Sequence, residues 1–140
     1  MNRLHSAFFG LGLLLAASAV QAQDQGVRAD IPFDFVVGNQ ILPAGEYTVV
    51  NEGPVNQAIL IRSHEGKTAV LSLTQPCSSV DPSAKTKLVF HAMAGRYFLY
   101  QIWTQGNSSG RQLPKSKAEV ELAKNSDRTG EFVLAARLTR

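Results

Sequence analysis

Cysteine and charge are both scarce in this sequence, and each shortage removes a class of protein. One cysteine, Cys77, among 140 residues rules out an internal disulfide. With no C-x-x-C and no H-x-H pair, the close ligand spacings of small metal centres are missing as well. Charged residues make up 18% of the chain and the net charge is only +3. Lys85, Lys87, Lys115, Lys117 and Lys124 are scattered among acids, so the clustered basic surface that binds nucleic acid is not there. No apolar run reaches the ~20 residues that span a bilayer. No repeat or low-complexity tract occurs, and no linker is long enough to divide domains. The mixed composition, 44% hydrophobic with 11 Gly and 6 Pro, excludes collagen, coiled coil and wholesale disorder.

What is present begins with an export pattern. Met1–Ser6 carries one strong positive charge, Arg3, and Ala7–Val20 is a charge-free apolar run of signal-peptide length. Val20-Gln21-Ala22 then offers the small side chains that a signal peptidase reads. This predicts a signal peptide over residues 1–22 and a single domain over 23–140, exported to the periplasm or secreted. Polar residues Gln21–Gln25 follow in place of a basic stop-transfer cluster, and no cysteine sits there to take a lipid anchor. The mature form is therefore expected to have no transmembrane span.

From Arg28 onward the sequence alternates. Ala29, Ile31, Phe33, Phe35 and Val37 share one side of a strand, with Asp30, Pro32, Asp34 and Val36 opposite, and period two is the mark of a strand with one face in a core. Pro32 cannot donate to a ladder, which suggests an edge position. Further runs read as strands at Glu46–Asn51, Gln57–Ser63, Thr68–Thr74, Lys87–Ala92, Tyr97–Thr104 and Glu131–Arg140. Gln75–Lys85 and Gln105–Gly110 read as loops from their Pro, Ser and Gly content. Ser116 followed by Glu119 forms a capping box that opens a helix over Lys117–Lys124. Two turns cannot hold themselves together in water, so this helix must dock on a sheet. The expected fold is mainly β: a seven-stranded antiparallel sandwich, or alternatively a small barrel, with one short helix before the last strand.

The stretch Ile31-Pro32-Phe33-Asp34-Phe35-Val36-Val37-Gly38-Asn39, followed by Leu42-Pro43-Ala44-Gly45-Glu46-Tyr47, resembles a family of small exported bacterial proteins of unknown function. Leu88–His91, Tyr97–Leu99 and Leu113–Ser116 are similar to the same family, so the likeness covers nearly all of residues 23–140. It implies export and a β-rich domain, and it brings no activity or site residues. Pro43-Ala44-Gly45-Glu46-Tyr47 also looks like the P-x-G-x-Y turn of extracellular β-sandwich modules.

No catalytic constellation emerges. Cys77 has only His64 or His91 as a base and no catalytic signature around it, so it reads as a free thiol, open to an intermolecular disulfide. His64 and His91 lack metal-ligand spacing with Asp81 or Glu65 and read as solvated imidazoles; no metal or other cofactor is expected. Asp30 and Asp34 stand roughly 13 Å apart along a strand, beyond the ~5–9.5 Å used by glycoside hydrolases, and Glu46 and Glu52 add no better pair. Asn107-Ser108-Ser109 matches a glycosylation sequon but reads as loop composition. Tyr97, Gln101 and Trp103 project to one side of the most aromatic strand, an arrangement that can stack on a flat ligand such as a sugar. The expectation is an exported, non-catalytic binding or envelope-associated module, with a carbohydrate or an envelope protein as its partner. Two alternatives stand beside it: a small Cys- or metal-dependent hydrolase, and a homo-oligomeric surface component.

Overall fold

A computed structural model describes residues 26–53, 57–126 and 128–139; the signal peptide expected over residues 1–22 lies outside them. The strands are β1 (Val27–Ile31), β2 (Phe35–Val37), β3 (Gln40–Leu42), β4 (Gly45–Glu52), β5 (Ala58–Ser63), β6 (Ala69–Leu73), β7 (Gln75–Ser78), β8 (Lys87–Met93), β9 (Arg96–Trp103), β10 (Ser109–Gln112), β11 (Gly130–Ala135) and β12 (Arg137–Leu138), with one helix, α1 (Lys117–Asn125). They form two sheets. The first runs β12-β1-β4-β5-β6. The second runs β11-β8-β9-β10-β7, with β2 paired to β9 and β3 paired to β2. Neither closes into a barrel.

The sheets share one core. Alternating residues from the first sheet (Ala29, Ile31, Tyr47, Val49, Ile59 and Ile61) meet Phe35, Leu42, Leu88, Phe90, Leu99 and Ile102 from the second. Aromatic edges lock it: Phe35 meets both Tyr47 and Phe90 edge-on, at ring centroid separations of 5.1 and 5.8 Å. At one end of the core Phe33 stacks on Tyr97 at 3.9 Å. The Tyr47 hydroxyl escapes burial without a partner by donating to the Pro43 carbonyl, 2.6 Å away.

The fold is mainly β, as the alternation implies, but among the described residues twelve strands replace the expected seven and one pairing is parallel rather than antiparallel. The extra strands have local causes. The single run from Arg28 to Val37 breaks at Pro32, which has no N–H to extend the ladder. Residues before the break pair with β4 and β12 in the first sheet, so β1 is interior there. Residues after it cross over and lie parallel to β9 in the second sheet, Phe35 beside Tyr97. The closing run divides in the same way, at Ala136: β11 pairs with β8, β12 with β1, and α1 therefore precedes two strands. Finally, the two Pro/Ser/Gly-rich loops pair with each other at their ends as β7 and β10. Pro76 is tolerated because β7 is an edge.

One irregularity decides which side chains face outward. Val89 lies opposite Gln101 but Phe90 lies opposite Leu99, so Tyr100 is an extra residue in β9. This β-bulge shifts the phase of the strand by one residue. Tyr97 and Leu99 pack against the shared core before it, and Ile102 does so after it.

Candidate functional site

The outer face of the second sheet carries two different coverings. Over one half lies α1. Its Ser116 cap is as the sequence implies, the hydroxyl accepting from the Glu119 amide at 3.1 Å. The carboxylate of Glu119 does not close the expected reciprocal bond; it accepts instead from Nδ1 of His91 on β8, 2.5 Å away. Both groups are buried, and Tyr100 stacks on the imidazole with centroids 3.8 Å apart. Ala118 and Leu122 complete the docking on Val36, Met93 and Phe98. His91 is thus a fastening for the helix rather than a solvated side chain. Ser116, Glu119 and His91 follow one another in space, but among the described residues no bond joins the Ser116 hydroxyl to the imidazole, whose Nδ1 is bound to Glu119, so the three do not form a nucleophile–base pair.

The other half of this face is an open groove of about 430 Å³. Its floor is set by register: Val133, Val89 and Gln101 lie side by side across β11, β8 and β9, and Lys87 lies beside Trp103. The Ser79–Ala84 segment forms one wall, with Glu131 also on the lining. That wall is tied down by backbone bonds, Ser83 N to Asn107 O and Gly106 N to Ser83 O, both 2.9 Å. The Trp103 indole N–H donates to the Gln101 carbonyl oxygen, and the Gln101 amide donates to Gln112, each at 3.0 Å. Opposed charges (Lys87 against Asp81 and Glu131) over an apolar floor suit a polar ligand with one apolar face.

The structure separates the three residues that the sequence places on one face. Gln101 and Trp103 line the groove together. Tyr97 does not join them: it lies on the core side, against Phe33 and Phe132, because the bulge at Tyr100 reverses the alternation between the two positions. Trp103 is itself only 8% exposed, packed so closely over Gly110 that a β-carbon there would come within 2.8 Å of the ring. A two-ring stacking platform is therefore absent, and the site is a groove with a tryptophan in its floor. Missing from the sequence reading are Lys87, Val89, Glu131 and Val133. Their period-two spacing on two strands was the available signal, but nothing in the sequence pairs β8 with β11.

The remaining candidates sit elsewhere. Cys77 is half-buried on β7, and burial pushes its thiol above the ordinary value of 9.0. A thiol held protonated is a poor nucleophile near neutral pH. His64 lies in the β5–β6 turn, where its Nδ1 accepts from Arg28 at 3.0 Å. Arg28 also binds Glu46. Asp30 and Asp34 fall on either side of the Pro32 break, and Asp34 accepts from the Ala44 amide at 3.0 Å, shaping the turn before β4. Among the described residues no three His, Cys, Asp or Glu side chains converge as a metal site, and no helix is long and apolar enough to cross a membrane. Comparison of the chain with protein-family models, with curated proteins and with solved structures gives no match in any of the three.

Proposed function

We propose that this chain is an exported, non-catalytic β-sandwich binding module, and that the groove over Val89, Gln101 and Trp103 holds a small polar ligand of the sugar type. The observation that carries the reading is the groove itself. Its ≈ 430 Å³ falls in the range of small-molecule sites. Apolar Val89 and Val133 suit the flat face of a pyranose, while Lys87, Glu131 and Gln101 suit its hydroxyls. The placement of the three titratable candidates supports the non-catalytic part. Cys77 is a protonated thiol, and both histidines are engaged in hydrogen bonds that leave neither paired with it. Export is supported by the signal pattern over residues 1–22 and by the resemblance to small exported proteins.

Trp103 is the one tryptophan of the chain, so its emission reports this groove alone. Titration with a panel of envelope-type mono- and oligosaccharides is expected to shift that emission saturably for at least one member. The shift should weaken at least tenfold in Lys87→Ala or Gln101→Ala, as loss of a buried polar contact implies. An unchanged spectrum and no calorimetric heat across the panel would overturn the sugar-binding reading. N-terminal sequencing of protein recovered outside the cytoplasm tests export, with Gln23 expected as the first residue.

A further inference from the structure

Among the described residues, the first sheet ends in a strand that carries none of the usual protection. Of the other sheet boundaries among the described residues, β12 and β3 are only two and three residues long, β7 holds Pro76, and β11 carries Glu131. These are the devices by which edges avoid pairing with other chains. By contrast, β6 and its flanks, Thr68–Thr74, hold no charge, no proline and no glycine.

The ladder fixes which groups of β6 are free. Ser63 N bonds Thr68 O and Thr74 N bonds Gln57 O, at 2.9 and 2.8 Å. Since backbone groups alternate direction along an antiparallel strand, residues 68, 70, 72 and 74 point at β5. Ala69, Leu71 and Leu73 therefore turn their N–H and C=O groups to the open edge. The same three residues carry the exposed side chains, Leu71 at 65% and Leu73 at 70%. Leu71 continues an apolar row on the outer face, from Val50 on β4 through Leu60 on β5.

We propose that β6 is the pairing edge for a second copy of this chain, joined antiparallel about a two-fold axis at Leu71. The occupant follows from self-complementarity. In this register Leu71 faces its own counterpart, and small Ala69 faces large Leu73 at both ends. The six edge-facing N–H and C=O groups of each strand pair, giving six backbone hydrogen bonds between the protomers; the Leu73 carbonyl, which already accepts from the Ser72 hydroxyl at 3.2 Å, uses its second lone pair. The two rows of Val50, Leu60 and Leu71 then meet as one, and Lys67 comes opposite Gln75, so no like charges are opposed. A contact of five residues per side falls short of the roughly 1,200 Å² of a standard stable interface, which makes the dimer concentration-dependent rather than obligate. The surface lies on the opposite sheet from the groove, so this inference stands independently of ligand binding.

Sedimentation velocity on the purified chain from micromolar to millimolar concentration provides the test. Wild type is expected to rise toward twice the monomer mass, while Leu71→Lys, which sets two like charges together at the axis, remains monomeric with an unchanged circular dichroism spectrum. Register is read in a Cys77→Ser background. The proposed pairing puts the two Leu71 Cα atoms about 5.5 Å apart, within disulfide reach, but separates the two Leu73 positions by about 13 Å. Leu71→Cys should therefore form an oxidised dimer and Leu73→Cys should not. A wild type monomeric throughout, as expected if the edge serves a strand of another protein, overturns the proposal. So does a Leu71→Lys variant that associates as wild type does, or equal cross-linking at the two positions.

Discussion

Ala94 holds a φ of +49° and Gly95 one of +75° at the tip of the hairpin joining β8 to β9. Two positive φ values at the central positions define the turn type whose twist matches its flanking strands, and it favours Asn-Gly. Gly95 adopts that conformation freely; Ala94 brings a β-carbon too close to the next carbonyl, at a cost of roughly 1–2 kcal/mol. Because Ala94 is exposed, nothing else depends on its methyl group. Ala94→Asn is expected to stabilise the protein by about 0.5–1 kcal/mol, since asparagine tolerates the left-handed region. The check is a urea titration in which the midpoint rises with an unchanged slope; a lower midpoint would contradict the assigned turn. Gly95 between two apolar runs signals this turn in the sequence, yet nothing there signals the bulge six residues from Ala94 at Tyr100. In β9 both faces are apolar, so a slip of one residue leaves the pattern looking the same. That ambiguity is why Gln101 and Trp103 were legible as neighbours while Tyr97 was wrongly grouped with them.

Elements that bury one face were the most legible. β4, β5, β6 and β8 lie close to where alternation puts them, because each sets apolar side chains against the shared core. The crossovers at Pro32 and Ala136 were not legible, since the alternation runs on in phase while the chain passes from one sheet to the other. The helix shows both outcomes. Its start follows from Ser116 and Glu119, but the destination of the Glu119 carboxylate depends on His91, 28 residues away in sequence. Nine residues do not hold a helix in water, and α1 offers few apolar anchors, so the buried His91–Glu119 bond has a large share in keeping it docked. Removing one partner of a buried hydrogen bond costs roughly 1–3 kcal/mol. Glu119→Ala is expected to lower stability by that amount, with α1 amides exchanging hydrogen much faster than those of β8 and β9. Glu119→Gln, which retains an acceptor oxygen, should recover part of the loss. Equal exchange rates in α1 before and after Glu119→Ala would show that packing on Val36, Met93 and Phe98 suffices alone.

At the scale of the whole molecule, the first sheet depends on residues from both ends of the described chain. β12 reaches β1 only after the second sheet has been traversed, and Thr139 and Gly26 exchange backbone and hydroxyl bonds of 2.8 to 3.0 Å at that seam. Glu46 sits across it: Arg28 of β1 binds its carboxylate, and Arg137 of β12 approaches the same oxygen at 3.4 Å. The hydrogen bond from Arg28, supported by the charges of Arg28 and Arg137, holds the Glu46 carboxyl below its ordinary value of 4.5. A value lower in the folded than in the unfolded chain means that ionised Glu46 favours folding. Its contribution is complete above about pH 4.5 and is lost as pH falls through the lower, folded value. Glu46→Gln removes that dependence while keeping the side chain's shape. Melting curves should therefore place wild type above the variant at pH 6 to 7, with the gap narrowing below pH 4.5 and closing in stronger acid. A gap that stays constant across this range would mean that Glu46 acts through packing rather than charge. With the gap closing as expected, the β1–β12 seam is the first part of the sheet to loosen in acid, seen as earlier hydrogen exchange at Val27 and Arg28 than at the interior pairs of β4 and β5.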